Sequence, residues 1–112
     1  MVAIHISTPY SKEFFEAINL RKQLLDRKIN YRKERRYVTL VAIHDNTMIG
    51  TASIQLFTPS VGRIKEIAVL PEFAEKDVES KLIHFAEKYL TNRSKSKSIL
   101  FGKKLKNLSN TA

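Results

Sequence analysis

Acidic side chains are concentrated in one short segment of this basic chain. Four of the 11 aspartates and glutamates fall within residues 72–79, at Glu72, Glu75, Asp77 and Glu79. The whole chain of 112 residues has 20 lysines and arginines and a formal net charge of +9. Carboxylates this close together repel anionic ligands. The position of the acidic segment in the fold therefore decides which ligands can bind beside it.

The segment 21–36 has the opposite character, with eight lysines and arginines against Asp26 and Glu34. Clustered cations gain affinity for nucleic acids and other polyanions by releasing counterions. However, the sequence shows no helix-turn-helix, zinc-finger or aromatic-rich RNA-binding motif, and Tyr31 and Tyr37 are too few for a stacking platform. A basic nucleic-acid-binding domain therefore stays open as an alternative that is not favoured over a solvated face.

Several kinds of chemistry are excluded by residue type or spacing. The chain contains no cysteine, so disulfides, thiolate metal sites and a cysteine nucleophile are ruled out. Its three histidines, His5, His44 and His84, are widely separated and have no ligand spacing around them, so we expect no metal site. No serine lies in a G-x-S-x-G context, which argues against a hydrolase.

Length and hydropathy predict one soluble domain. A chain of 112 residues suits a single core, and 43% hydrophobic residues argue against complete disorder. The longest apolar runs, such as Ile67–Leu70, are far too short to cross a bilayer. Residues Met1–His5 have neither a basic region nor a long apolar region of a secretory signal. We therefore expect a cytoplasmic protein that does not bind membranes.

Hydrophobic periodicity predicts the elements that position these residues. Val2–Ser7 alternates as a strand does, and Ser11 is a suitable N-cap for a helix that reaches about Arg27. Residues 28–37 read as a loop or a short helical piece. Tyr37–His44 and Met48–Phe57 form a hairpin around the Asp45-Asn46 turn.

The second half of the chain predicts a crossover between two parallel strands. Gly62–Leu70 is a long strand that ends at Pro71, and an amphipathic helix follows from about Lys76 to Leu90. Ser98–Lys103 is a last short strand, which should lie parallel to the strand at 62–70. The predicted fold is a single α/β (α+β) domain with a mixed sheet in the order β-α-β-β-β-α-β.

This order of elements, together with several local motifs, resembles the GNAT superfamily of N-acetyltransferases. Arg63–Phe73 is similar to the family's strand ending in a V-x-P-type sequence, which leads into a loop and an amphipathic helix. Leu20-Arg21 resembles the family's early L-R, and Met48–Ala52 its "(I/V)-(V/I)-G-x-(A/L)" strand. Ser80–Glu87 resembles the helix after the acetyl-CoA loop. The resemblance covers roughly residues 4–104 and implies an acyl-CoA N-acyltransferase fold.

The loop that binds the coenzyme's pyrophosphate departs from the family pattern. Family members have an R/Q-x-x-G-x-G/A signature, whose glycines let backbone N–H groups approach the pyrophosphate. Aligned from the proline, Ala74 stands at the Arg/Gln position, and Asp77 and Glu79 stand at the two glycine positions. Glu75 stands where a third glycine is common. The resemblance therefore implies a degenerate acetyl-CoA loop.

The resemblance also implies candidate site residues. Glu66 lies where some family members keep a carboxylate that takes the proton of the acceptor amine, and it is the candidate catalytic residue. The backbone groups at Ile67 and Val69 match those that hold the pantetheine arm. The full set of candidate coenzyme-binding residues is Ile67, Val69, Lys76, Val78, Ser80 and Lys81.

The C-terminal end is expected to be shortened relative to the family. Members continue past the strand at 98–103 with a helix and two strands, which carry a tyrosine that protonates the leaving thiolate. Only Leu105–Ala112 remains here, which implies a GNAT-like domain at 1–104 and a polar basic tail at 105–112. The strand at 98–103 is then left at a sheet edge. We predict that it pairs with a second copy in a homodimer or is covered by the tail.

Two functions follow from the resemblance. The favoured one is a divergent GNAT member with weak or absent acetyl transfer and no cofactor, in which the fold acts as a binding or dimerising module. The alternative is an active acyl-CoA-dependent N-acyltransferase that uses acetyl-CoA. In that case Ile67, Val69 and lysine side chains hold the coenzyme, and Glu66 takes the proton.

Overall fold

The elements follow one another in the predicted β-α-β-β-β-α-β order, with two short helical pieces added. The computed structural model describes residues 1–26, 28–94 and 99–102. The elements are β1 (Ala3–Ser7), α1 (Lys12–Leu25), α2 (Tyr31–Glu34), β2 (Val38–His44), β3 (Thr47–Thr58), β4 (Val61–Val69), a 3₁₀ helix (Pro71–Lys76), α3 (Val78–Ser94) and β5 (Ile99–Phe101). None of the described helices is both long enough and apolar enough to pass through a bilayer.

The five strands form one mixed sheet in the order β1-β2-β3-β4-β5. The first three pairings are antiparallel. The last, between β4 and β5, is parallel, because α3 carries the chain back across the sheet between them. The predicted hairpin, the parallel pair and the mixed α+β class are all confirmed.

The main hydrophobic core lies between the sheet and α3. Alternate residues of a strand point to opposite faces, so one face of β2 and β3 supplies the sheet side of this core. Val78, Leu82 and Ala86 supply the helix side at four-residue intervals, and all three are fully buried. The buried members of the cluster are Leu40, Ala42, Ile49, Ala52, Ile54, Ile64, Val78, Leu82 and Ala86.

The opposite face of the sheet carries α1 and is more polar. Thr39 pairs with Ser53 across β2 and β3, and both residues are buried. They alternate with the members of the α3 core and therefore point toward α1. Helix α1 buries Arg21 on the same stripe as its apolar residues Phe14 and Ile18. This layer therefore contains polar groups that need partners inside the protein.

Local capping fixes both ends of α1. The Ser11 hydroxyl accepts a hydrogen bond from the Phe14 N–H at 3.1 Å, which satisfies one of the donors exposed at the first turn. Asp26 has a φ of 50°, so its left-handed conformation ends the helix after Leu25. The sequence predicted an end near Arg27, a residue that lies outside the described ranges.

The second long helix starts later and ends later than predicted. Periodicity predicts a helix from about Lys76 to Leu90, whereas α3 spans Val78–Ser94. Asp77 has a φ of 59°, a value that interrupts right-handed helix between the 3₁₀ helix and α3. The predicted strand at 98–103 is present as Ile99–Phe101. The ends of that prediction, and the tail at 105–112, lie outside the described ranges.

Candidate functional site

Strand β4 contains a bulge at the candidate catalytic residue Glu66. Lys65 is paired with Ser53, but the next pair along β3 joins Thr51 to Ala68, so β4 has one extra residue there. Glu66 has a φ of 57°, in the left-handed region that few non-glycine residues adopt. A bulge re-aims a side chain and often lies beside a functional site. Glu66 is half-buried, and its Oε2 atom has almost no solvent exposure.

The described pairing of β4 with β5 ends before this bulge. Their pairing covers only Val61–Arg63 of β4. Gly102, the residue directly after β5, has a φ of 92°. A Cβ at Gly102 would lie 2.5 Å from the Ile64 carbonyl oxygen. Among the described residues, no strand pairs with β4 on that side beyond Arg63. Backbone N–H and C=O groups on this edge can therefore hydrogen-bond an extended ligand.

The start of α3 lies directly against the ends of β3 and β4. A Cβ on Gly50 would come within 3.2 Å of both the Ala68 carbonyl oxygen and the Val78 Cγ1 atom. A larger residue at this position would therefore push the helix away from the sheet. The close approach explains why glycine suits the Met48–Ala52 segment, and it fixes the position of the loop that precedes α3.

This loop leads into the N-terminal amides of α3. The 3₁₀ helix Pro71–Lys76 ends at Asp77, and the first hydrogen bond of α3 runs from the Lys81 N–H to the Asp77 carbonyl at 3.2 Å. The amides of residues 78–80 precede that bond and have no acceptor within the helix. Amides at the positive end of a helix dipole are the usual geometry for binding an anion.

Acidic residues are next to these amides in the chain. Asp77 is exposed and Glu79 is half-buried in the first turn of α3. A carboxylate near a helix N-terminus is stabilised by the dipole by about 0.3–1 kcal/mol. The acids thus suit the helix, but they add negative charge beside the amides that an anionic ligand would use. Within residues 1–26, 28–94 and 99–102, no three His, Asp or Glu side chains converge as metal ligands would.

Three of the predicted coenzyme-binding residues have side chains turned into the protein. Ile67 and Val69 pack against the core beneath α3, and Val78 is fully buried beside Gly50. Ile67 and Val69 are half-buried, and the resemblance implies that their backbone groups hold the coenzyme. The backbone of Lys76 ends the 3₁₀ helix, whereas its side chain lies outside the description.

Ser80 and Lys81 are directed away from the β4 edge. Their side chains line a depression of about 570 Å³ together with Ile4 of β1 and Val2, which precedes that strand. Strand β1 stands at the far end of the sheet from β4 and β5. The structure therefore groups Glu66, Ile67, Val69 and the amides that follow Asp77, and it separates the Lys81 ammonium from them. No local signal in the sequence indicated that the Lys81 side chain points toward β1.

Comparisons with known proteins bear on the family and the fold of this chain. The model of the acetyltransferase (GNAT) family matches residues 5–110. An aminoglycoside acetyltransferase from an uncultured soil metagenomic sample, solved with sisomicin, is 15% identical with a TM-score of 0.72. That alignment covers 98% of this chain and 84% of the other. At this level of identity the likeness shows the fold alone.

Two further solved structures have the same fold. The ribosomal-protein-alanine N-acetyltransferase from Brucella melitensis biovar Abortus 2308 is 20% identical with a TM-score of 0.68, over 99% of this chain and 86% of that one. A GNAT family acetyltransferase from Elizabethkingia anophelis, solved with acetyl-CoA bound, is 17% identical with a TM-score of 0.64, over 98% and 71%. No curated protein matches significantly. The family match over most of the chain, together with this fold, shows that the chain belongs to the GNAT acetyltransferase family.

Proposed function

We propose that this chain is a divergent N-acetyltransferase that keeps the frame of the acetyl-CoA site but binds the coenzyme weakly, so that acetyl transfer is weak or absent. The observation that carries the proposal is the exposed Asp77 carboxylate at the turn before α3, where the family has glycine. The bulge in β4 and the end of its described pairing with β5 at Arg63 fit the pantetheine arm, whereas the charge of the loop does not fit a pyrophosphate.

The electrostatic cost of placing a pyrophosphate beside these carboxylates is large compared with the binding free energy of a typical ligand. A carboxylate about 6 Å from a phosphate charge repels it by ~0.7 kcal/mol in bulk water, and several-fold more at the effective dielectric of a protein surface. Asp77 and Glu79 both lie at the start of α3. Repulsion of a pyrophosphate by both acids is therefore expected to cost several kcal/mol, or a loss of several decades in affinity.

A thermal-shift titration with acetyl-CoA tests this proposal. A ligand at about 100 times its Kd stabilises the native state by ~2.7 kcal/mol, which raises the Tm of a domain of this size by about 10 °C. We expect acetyl-CoA at about 1 mM to raise the Tm by less than ~1 °C, because the loop repels the pyrophosphate. A saturable rise of several degrees would contradict weak binding and favour an active enzyme.

An active acyltransferase is the second candidate, and the geometry at Glu66 favours it. Glu66 is half-buried and lies at the bulge, on the strand whose edge could hold the pantetheine arm. A general base needs hydrogen-bond reach to the amine. On this reading the backbone groups of Ile67 and Val69 anchor acetyl-CoA, and Glu66 accepts the amine proton directly or through water. Release of CoA thiol that Glu66→Gln abolishes would support it.

The proposed binding role is supported by the exposed apolar surface at β5. Ile99 and Phe101 are 52% and 50% exposed, and Phe57 on β3 is 53% exposed. The rings of Phe57 and Phe101 are 6.5 Å apart between centroids. Strand β5 is at the end of the described sheet and is paired only with β4 there. An edge strand with apolar side chains favours pairing with a second chain.

We expect the protein to self-associate through β5, and Phe101→Asp to weaken this association. The substitution places a charge in the apolar patch, where it would have to lose its hydration on pairing. Sedimentation equilibrium over micromolar concentrations measures the effect. The matched control is Ile6→Asp, which changes a residue 43% exposed on β1 at the other edge of the sheet. A strictly monomeric wild-type protein would contradict the dimer.

A further inference from the structure

A short cationic surface lies between α1 and β2. It consists of α2 and its flanking residues, over residues 28–36, and we call it the basic turn. Its five lysines and arginines are all exposed, at Lys28, Arg32, Lys33, Arg35 and Arg36. Asn30 caps α2, with its side chain accepting the Arg32 N–H at 2.8 Å. The backbone of the basic turn is therefore ordered by hydrogen bonds.

The one acid of the basic turn is removed from the surface. Glu34 is 4% exposed, and its Oε1 atom lies 2.7 Å from Nη1 of Arg21, which is fully buried. This pair crosses from α2 to α1 and satisfies the Glu34 charge inside the protein. The sequence alone suggests that Glu34 partly neutralises the arginines beside it. The structure places its carboxylate beneath them, so the outer surface carries only positive charge.

The arginines share one side of the basic turn. The Arg35 N–H donates to the Tyr31 carbonyl at 3.0 Å and the Arg36 N–H to the Lys33 carbonyl at 3.1 Å. Helical turns therefore continue past Glu34, and residues three and four apart are neighbours on such a surface. Arg32, Arg35 and Arg36 have this spacing. Guanidinium groups so placed can contact successive phosphates with paired hydrogen bonds.

Both tyrosines near the basic turn already have lysines over their rings. The Nζ atom of Lys22 lies 4.5 Å from the centre of the Tyr31 ring, and that of Lys65 lies 4.2 Å from the centre of the Tyr37 ring. Tyr31 also packs edge-on against Phe15 at 5.1 Å. Single-stranded nucleic acid is usually bound by stacking its bases on open aromatic faces. The basic turn offers charge without such a platform.

We propose that the basic turn binds the phosphate backbone of duplex nucleic acid without reading its sequence. Arginine forks match phosphates, a duplex carries the densest line of them, and counterion release makes dense polyanions the preferred ligands of clustered cations. This function is separate from the proposed acetyl-CoA chemistry. A variant that loses nucleic-acid binding should keep its acetyl-CoA affinity, and a variant that loses acetyl-CoA binding should keep its affinity for nucleic acid.

Fluorescence anisotropy with a labelled DNA duplex of about 20 base pairs tests the proposal at several salt concentrations. Three to four phosphate contacts predict a slope of about −3 for the logarithm of the binding constant against the logarithm of the salt concentration. The affinity should therefore fall by about 60-fold between 50 and 200 mM salt. Arg35→Glu with Arg36→Glu removes two contacts and adds repulsion. We expect this double variant to bind at least ~10-fold more weakly and to lose about 2 from the slope.

The matched control is Lys81→Glu with Lys88→Glu, two exposed residues of α3 that change the net charge equally. This variant should keep most of the affinity and the full slope. Equal losses in both variants would overturn the proposal, because the net charge alone would then explain binding. No binding at low salt, tighter binding of a single strand of the same length, or tighter binding of polyglutamate would also overturn it. Circular dichroism confirms that each variant is folded.

Discussion

Glu34→Ala is expected to lower the free energy of unfolding by about 3–5 kcal/mol, because it leaves the Arg21 guanidinium charged, buried and unpaired. Arg21 is fully buried on α1, and its side chain touches the Glu34 carboxylate at 2.7 Å. Small domains have only about 5–15 kcal/mol of stability in total. A single substitution here is therefore expected to consume a large part of it. Urea denaturation followed by circular dichroism measures the loss.

The double variant Arg21→Met with Glu34→Leu is the control for this prediction. Replacing both charges with apolar groups of similar size is often neutral or stabilising, since no charge then remains to be desolvated. The double variant should therefore be more stable than Glu34→Ala, although it removes more polar groups. If Glu34→Ala unfolds within about 1 kcal/mol of the wild type, the ion pair does not anchor α2 to α1.

Restoring the family signature is expected to raise the affinity for acetyl-CoA by at least ~100-fold, equivalent to ~2.8 kcal/mol or more. The variant combines Ala74→Arg, Asp77→Gly and Glu79→Gly. Asp77 already has a φ of 59°, a conformation that glycine adopts readily, so the substitution keeps the turn. It removes two carboxylates beside the amides of residues 78–80. The same thermal-shift titration, repeated with this variant, reports the gain.

The matched control removes two carboxylates far from the loop. Asp45 is also exposed with a positive φ of 50°, in the turn between β2 and β3, and Glu16 is exposed on α1. Asp45→Gly with Glu16→Lys raises the net charge by three, as the restored loop does, and should leave coenzyme affinity near that of the wild type. Equal gains from both variants would show that net charge is responsible. If the restored loop gains nothing, the loop is not the cause of weak binding.

Local patterns in the sequence were enough to predict the order of the elements. Alternation of apolar and polar residues gave the strands, and four-residue spacing in Val78, Leu82 and Ala86 gave α3, because these periods follow from the backbone geometry itself. Glycine and proline positions marked the ends of the strands and helices. The acidic segment could likewise be placed before α3 by counting from Pro71, since that relation is also local.

The site required the tertiary structure at several points. Glutamate is not a residue type that favours a bulge. Nothing in the local sequence therefore indicated the left-handed conformation of Glu66. This conformation arises because the pairing register of β3 and β4 shifts by one residue between two buried stretches. The direction of Lys81, toward β1, depends on which stripe of α3 the sheet buries.

The sequence by itself determined the fold class, the parallel crossover and the charges of two segments, because each is a property of residues near one another in the chain. Only the tertiary structure decided which of those charges face the solvent. The burial of Glu34 against Arg21, thirteen positions apart, and the pairing of β5 with Val61–Arg63 of β4 both result from contacts between distant segments. Such contacts are selected by the packing of the whole domain, which no local pattern records.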